Sequence, residues 1–331
     1  MAGAGSRRAG RASGTIVVTG ARGVLGAAVL QAFVAEGRRC DGWVRDGPVD
    51  GPLPLRVVGD LATAADDALR AALADVAVII HVAGRAHIAP SSTAESTLER
   101  DNVVATTRLA RAARAAGVPR FVHISTVKVN GESTRPGAPF RIDDVPAPSD
   151  GYARSKWRAE QALAAALAGG PTRATVLRLP MTYGPGARAN FAALVRAVAA
   201  GWPLPLAGIR NRRHLLGVGN LVGALAAVLA TDHLVGTYFA ADADSVSTPQ
   251  LVEAIARALG GHPRLVGCPP GALRVMAKIA GRERAVDRLT GSLEVDTRPF
   301  EAATGWQPAP FALDAAAVSS VEAESRRKRS A

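Results

Sequence analysis

The chain has 331 residues, 48% hydrophobic and 4% aromatic, with 40 Lys and Arg against 28 Asp and Glu and a formal net charge of +12 at pH 7. That length supports a large core in one continuous fold, whereas no apolar run is long enough to span a membrane and residues 1–14 lack the hydrophobic stretch of a signal peptide. The charge does not indicate nucleic acid, because seven cations lie at the ends, in Arg7, Arg8, Arg11 and Arg326-Arg-Lys-Arg329, and the few aromatics leave no face for stacking bases.

From the N-terminus, residues 1–13 read as a disordered basic tail. The apolar run Thr15-Ile-Val-Val18 predicts a first strand, and Thr19-Gly-Ala-Arg-Gly-Val-Leu-Gly26 a glycine-rich turn into a helix. Gly20 allows the tight turn, Gly23 lets the backbone approach a pyrophosphate, and Gly26 lets the helix pack on the strand. Unpaired N–H groups at the helix start then face the anion, a dinucleotide site. A second strand is expected at 39–44. An NAD site usually has a carboxylate at its end for the ribose 2′-hydroxyl, and an NADP site a cation. Here the position falls on Val44, followed by Arg45, and Arg22 in the turn lies on the same side, so NADP(H) is favoured; Asp46 keeps NAD(H) open.

The run 75–80 is apolar almost throughout, as strands covered on both faces must be. A helix at 100–116 closes on Gly117-Val-Pro119, and Phe121-Val-His-Ile-Ser-Thr126 reads as a buried strand ending in hydroxyls. Strand ends of parallel sheets face the ligand crevice, so Ser125 or Thr126 can hold a substrate oxygen. Tyr152-Ala-Arg-Ser-Lys156 then puts a phenol and an ammonium on one helix face. A nearby cation favours phenolate, which makes the pair a usable acid/base. A further strand is expected at 174–179. After Pro180 the pattern changes to interrupted, amphipathic helices, the mark of a smaller lobe, with a short strand at 236–240 returning to the first sheet. The expected organisation is an α/β, Rossmann-type doubly wound parallel sheet over residues 14–180, a smaller C-terminal substrate-binding lobe over 181–322, and a second basic tail at 323–331. The tails read as solubilising, with a weak contact to anionic lipid as the alternative. Cys40 and Cys268 are too few for a disulfide framework and have no metal spacing, so a cytoplasmic protein without a metal is expected.

Taken in order, these motifs resemble the extended short-chain dehydrogenases/reductases, in the branch of nucleotide-sugar epimerases, dehydratases and 4-ketoreductases. The resemblance runs from about Thr15 to Pro308 and includes Gly59-Asp60-Leu61, His81-Val-Ala-Gly84, Asn102-Val-Val-Ala-Thr106, Val129-Asn-Gly131, Arg178-Leu-Pro-Met-Thr-Tyr-Gly-Pro-Gly186 and Thr304-Gly-Trp-Gln-Pro308. It implies that Tyr152 is the acid/base, that Lys156 binds the nicotinamide ribose and lowers the tyrosine pKa, and that Thr126 is the catalytic hydroxyl beside Ser125. It also implies cofactor contacts from Gly20, Arg22, Gly23, Val24, Leu25, Gly26, Arg45, Asp60, Leu61, Val82, Ala83, Gly84 and Asn102, with Pro180 and Tyr183 bordering the nicotinamide. Asn190 and Phe191 would meet a nucleotide, Arg213 would bind a diphosphate, and Arg282, Arg284 and Arg288 compete for a second phosphate contact. Arg85 and His87 lie where a sugar is reached. Asn130, Gly84 and Gly217 depart from the family pattern, and Gly217 leaves room in the expected nucleotide pocket.

The implied partner is a UDP-sugar, the implied assembly a homodimer. Lys128-Val-Asn-Gly131, Asn211-Arg-Arg213 and Ser292-Leu-Glu-Val-Asp296 resemble a polysaccharide-assembly subgroup, which implies an NADPH-dependent 4-ketoreductase acting on a UDP-4-keto-6-deoxy-N-acetylhexosamine. A 4-epimerase with tightly held NAD is the alternative. A dinucleotide sensor without catalysis is disfavoured by the intact Tyr152, Lys156 and Thr126.

Overall fold

The computed structural model describes residues 14–86, 93–187, 189–279, 281 and 283–327; the tail at 1–13 and residues 328–331 of the second tail lie outside them. In the first part strands and helices alternate: β1 (Thr15–Thr19), α1 (Val24–Ala35), β2 (Cys40–Val44), β3 (Leu55–Val57), α2 (Asp66–Ala72), β4 (Val76–His81), α3 (Ala94–Leu98), α4 (Ala105–Ala115), β5 (Arg120–Thr126), α5 (Gly151–Leu167) and β6 (Arg173–Leu179). The remainder comprises β7 (Met181–Tyr183), α6 (Ala189–Ala199), β8 (Arg213–Gly217), α7 (Val218–Ala230), β9 (Gly236–Phe239), β10 (Ser245–Val246), α8 (Thr248–Ala258), α9 (Pro270–Ile279), α10 (Glu283–Thr290), α11 (Arg298–Thr304) and α12 (Ala315–Arg327). Because α12 runs to Arg327, the backbone of 323–327 is helical rather than a tail.

Seven strands form one parallel sheet in the order β3-β2-β1-β4-β5-β6-β9, and β10-β8-β7 form a small second sheet. The strand order reverses at β1, where β2 lies on one side and β4 on the other. Doubly wound sheets open a ligand crevice at that switch point, beyond the carboxyl ends of the strands. Alternation along β1 shows how the sheet is covered: Val17 packs with Trp43, Ile79, Leu109, Phe121 and Leu163, while Ile16 and Val18 pack with Leu30, Phe33, Ile80, Val122 and Leu225. Each such side chain contributes roughly 1.5–3 kcal/mol when removed from water. A third cluster, around Phe191, Val195, Leu215, Val252 and Ile255, fills the smaller lobe.

One local feature departs from the sequence expectations. The helix expected at 100–116 is preceded by a π-helical segment, Glu99–Val104, between α3 and α4. Its wider turn accommodates two consecutive buried polar residues, Asp101 and Asn102. The buried Pro180 divides β6, in the large sheet, from β7, in the small one.

Helix α5 is fixed against the sheet by charge as well as by packing. Glu160 accepts from Arg178 Nη2 at 2.6 Å and from Nε at 3.1 and 3.2 Å, with both side chains at or below 5% exposure. Ser125 Oγ also donates to Glu160, and Arg178 Nη1 donates to Asn130 Oδ1 at 2.9 Å. A buried pair of this kind tolerates joint replacement by apolar groups far better than the loss of one partner. Glu160→Ala should therefore cost about 3–5 kcal/mol in urea denaturation, whereas Glu160→Leu combined with Arg178→Met should recover most of that loss. Equal losses in the two variants would contradict this account.

Candidate active site

The glycine turn is built by close backbone approach. Gly20 has φ +67°, and a Cβ there would lie 2.9 Å from Ala83 Cα; a Cβ on Gly26 would overlap the Gly20 carbonyl oxygen. The Gly23 N–H donates to that same oxygen at 2.8 Å. Gly23 is the N-cap of α1, with no side-chain cap and no acidic residue in the first turn. The positive end of α1 is thus open to an anion, beside the half-buried Val24 and Leu25. These features fit a dinucleotide pyrophosphate.

At the end of β2 the chain passes from the buried Val44 to the exposed Arg45. Arg22 reaches the same place, its Nη1 and Nη2 donating to the carbonyl oxygens of Asp46 and Pro48. Arg45 lies 4.0 Å from Asp60 and 3.8 Å from Asp101. Burial opposes ionisation of Asp101, but hydrogen bonds from Arg85 and Arg100 outweigh it and hold its carboxyl below the usual range. Arg85, expected at the sugar, therefore has its guanidinium on Asp101, at 2.6 Å. Asp60 Oδ1 accepts from the Ala62 N–H at 3.0 Å, with Leu61 buried beside it.

The loop after β4 is tied on both sides. The Ala83 N–H donates to Thr19 Oγ1 at 3.1 Å, next to Val82, and a Cβ on Gly84 would come within 3.1 Å of Asn102 Oδ1. Asn102 accepts from the Arg85 N–H at 2.7 Å and donates to the Arg85 carbonyl at 3.0 Å and to Ser155 Oγ at 2.8 Å. Its amide thus straps this loop to α5, in contrast to the cofactor contact expected of it.

Tyr152 and Lys156 occupy successive turns at the start of α5, whose N-cap Asp150 accepts from the Ala153 N–H at 2.7 Å. Burial, followed by the Asp150 carboxylate, pushes the Tyr152 phenol up to about 12, opposed by a hydrogen bond with the Thr126 hydroxyl. Thr126 and Tyr152 are thereby brought together. Ser125 is not, because adjacent strand residues point to opposite faces and its hydroxyl is spent on Glu160. Lys156 is 4% exposed and lowered to about 8 by burial, with Glu160 opposing; its Nζ donates to His123 Nε2 at 3.0 Å. The ammonium is thus directed at His123, and the Tyr152 phenol, expected to be lowered by Lys156, is instead raised by burial and Asp150. His123 stacks on His81 at 5.4 Å, and burial lowers both, His81 to about 3, with Lys156 adding to the effect. His81 joins Thr19 at 2.8 Å to Thr106 at 2.9 Å.

In the smaller lobe several expectations fail on burial. Tyr183 is 5% exposed between Phe191 and Phe311, and its Oη accepts from the Ala312 N–H at 3.2 Å, so it belongs to that core rather than to a nicotinamide wall. Phe191 is 1% exposed and packs in the same core, leaving only the exposed Asn190 of that pair accessible. Gly217 does not mark an enlarged pocket, because a Cβ there would stand 2.9 Å from Tyr183 Oη, and its N–H donates to Asp242. Arg213 Nη1 donates to the Gly291 carbonyl at 2.7 Å, and burial lowers the guanidinium to about 10, with Glu132 opposing and Arg288 assisting. Arg288 pairs with Glu132 at 3.4 Å, 3.9 Å from Asp150. Arg284 lies on α10; its side chain, His87 and Arg282 lie outside the described residues.

The sequence reading missed Asp150, Glu160, His123 and Asp101. Two signals were available: Glu160 follows Lys156 by four residues on the same helical stripe, and His123 interrupts an apolar strand.

The family model described as NAD dependent epimerase/dehydratase matches residues 16–238. A UDP-glucose 4-epimerase of Vibrio cholerae is 38% identical over 257 residues, 76% of this chain and 77% of that protein. A dTDP-4-dehydrorhamnose reductase of Mycolicibacterium smegmatis is 28% identical over 252 residues, 76% of this chain and 71% of that one. The solved structure of MoeE5 in complex with UDP-glucose and NAD superposes with a TM-score of 0.72 at 26% identity, covering 96% of this chain and all of that one. The family match over residues 16–238 and the Vibrio cholerae relative place the chain in the NAD-dependent epimerase/dehydratase family, which its glycine turn fits.

Proposed function

We propose that the protein is an NADPH-dependent 4-ketoreductase that acts on a UDP-4-keto-6-deoxy-N-acetylhexosamine, giving a UDP-N-acetylquinovosamine-type product for surface polysaccharide. The observation that carries this reading is the end of β2, where Val44 and Arg45 stand where an NAD site usually has a carboxylate and Arg22 meets the same loop. A net reduction consumes cofactor, whereas an epimerase regenerates what it has used. Cations at the 2′ position therefore favour the reductase.

When bound, the dinucleotide supplies a hydride to C4 of the sugar. Thr126 and Tyr152, already hydrogen-bonded to each other, would hold the C4 oxygen between their hydroxyls, and the Tyr152 phenol would give it the proton. A phenol pushed up to about 12 is protonated at neutral pH, the state a reductase needs at the outset. Lys156, held by His123, would reach the ribose and replace the proton.

The second reading, a UDP-hexose 4-epimerase holding NAD, is favoured by the Vibrio cholerae relative and by Asp60 and Asp101 beside Arg45. Denaturing the purified protein and identifying the released nucleotide separates the two. The reductase predicts an empty site that binds NADPH more tightly than NADH, and stoichiometric NAD would favour the epimerase. Arg45→Ala should weaken NADPH about tenfold and leave NADH within about twofold, as expected for one partly exposed charge-assisted contact. Tyr152→Phe should lower kcat with a UDP-4-keto sugar by about 10²–10⁴ and leave NADPH binding unchanged; full activity would remove Tyr152 from the chemistry.

A further inference from the structure

We propose that Lys128 is a positioning residue for Tyr152: its ammonium pairs with Asp150, which caps α5 just before the tyrosine, clamping Thr126 against Tyr152 and screening the phenol from that carboxylate. This rests on the reading of Tyr152 as the proton donor. Lys128 Nζ lies 2.7 Å from Asp150 Oδ2 and 2.9 Å from Glu132 Oε1. Asp150 uses its other oxygen, Oδ1, to cap the Ala153 N–H at 2.7 Å. At the other end, the Lys128 N–H donates to Thr126 Oγ1 at 3.3 Å, so a single residue touches both the catalytic hydroxyl and the carboxylate at the start of α5.

The remaining charges around Tyr152 are mostly held in pairs of their own. On the π segment packed against α5, Asp101 is paired with Arg85 and Arg100, and Glu99 with Arg158. On β6, Arg178 is paired with Glu160; on β5, His123 is kept neutral by burial and faces Lys156, one turn along from Tyr152. Arg288 from α10 stands farther from Asp150, at 3.9 Å, nearer to Glu132 at 3.4 Å. Asp150 is thus the carboxylate that acts on the phenol, and Lys128 is its closest cation. A partly exposed ion pair adds little to folding, so the tyrosine titration rather than stability reads this contact.

The chain contains three tyrosines, so the tyrosinate absorbance of Tyr152 is obtained by subtracting the Tyr152→Phe variant. The titration is run on protein saturated with NADP⁺, or with NAD⁺ if that binds more tightly, because the positive nicotinamide favours phenolate. Lys128→Met should raise the Tyr152 midpoint by about one pH unit, the order expected for one unmasked charge at a partly exposed site. Lys128→Arg should stay within a few tenths of a unit of the parent, and Asp150→Asn, which retains a capping side chain, should lower the midpoint. In the Asp150→Asn background the Lys128→Met shift should fall to less than half. No shift from Lys128→Met, or half or more of it persisting without the Asp150 charge, would overturn the proposal. Lys128→Gln replaces Lys128→Met if the latter does not fold. No sugar is needed, so a protein that turns over no UDP-4-keto sugar but gives these shifts loses the proposed function and keeps this inference.

Discussion

A carboxylate and a guanidinium removed together from water, Glu160 and Arg178, set the geometry on which the site depends. Neither is tolerable in that position alone, so α5 has one register against β5 and β6 in which both are satisfied. That register carries Tyr152 and Lys156 to the carboxyl ends of the strands and occupies the Ser125 hydroxyl, leaving Thr126 as the one beside the phenol. Asn130 belongs to the same constraint: it stands where the family has a tyrosine, and its amide oxygen accepts from Arg178.

The part of the sheet that carries the glycine turn is joined to the part beside Tyr152 and Lys156 by buried polar contacts. Thr19, at the end of β1, is linked through His81 to Thr106, and His81 stacks on His123, which in turn holds Lys156. Both histidines are kept neutral by burial, so the chain from the glycine turn to the lysine carries no fixed charge other than the lysine itself. His123 Nδ1 is buried without a partner among the described residues, a cost of the kind that functional sites carry.

The parts of the fold legible from sequence were those governed by local rules. Near-continuous apolar strands, the glycine turn and the Tyr152–Lys156 spacing each follow from the period of an element or from the freedom of a glycine. Direction across a sheet was not legible: Ser125 and Thr126 are neighbours on one strand, and which faces the crevice depends on where α5 packs. Tyr183 and Phe191 were assigned to the site from their place in a motif, but tertiary packing buries both in the smaller lobe. The π segment was hidden because an amphipathic pattern of period 3.6 does not reveal an inserted residue, and Asp150 was hidden because its importance lies in a contact with Lys128, distant in sequence.

The proposed reaction is net reduction at C4 of a nucleotide sugar, with the proton taken from Tyr152. Incubating the protein with a UDP-4-keto-6-deoxy-N-acetylhexosamine and NADPH deuterated at the nicotinamide C4 tests it most directly. One NADPH should be oxidised per sugar, with deuterium at C4 of the product from one of the two cofactor faces. Interconversion of UDP-hexose epimers with bound NAD, and no net oxidation of NADPH, would contradict it.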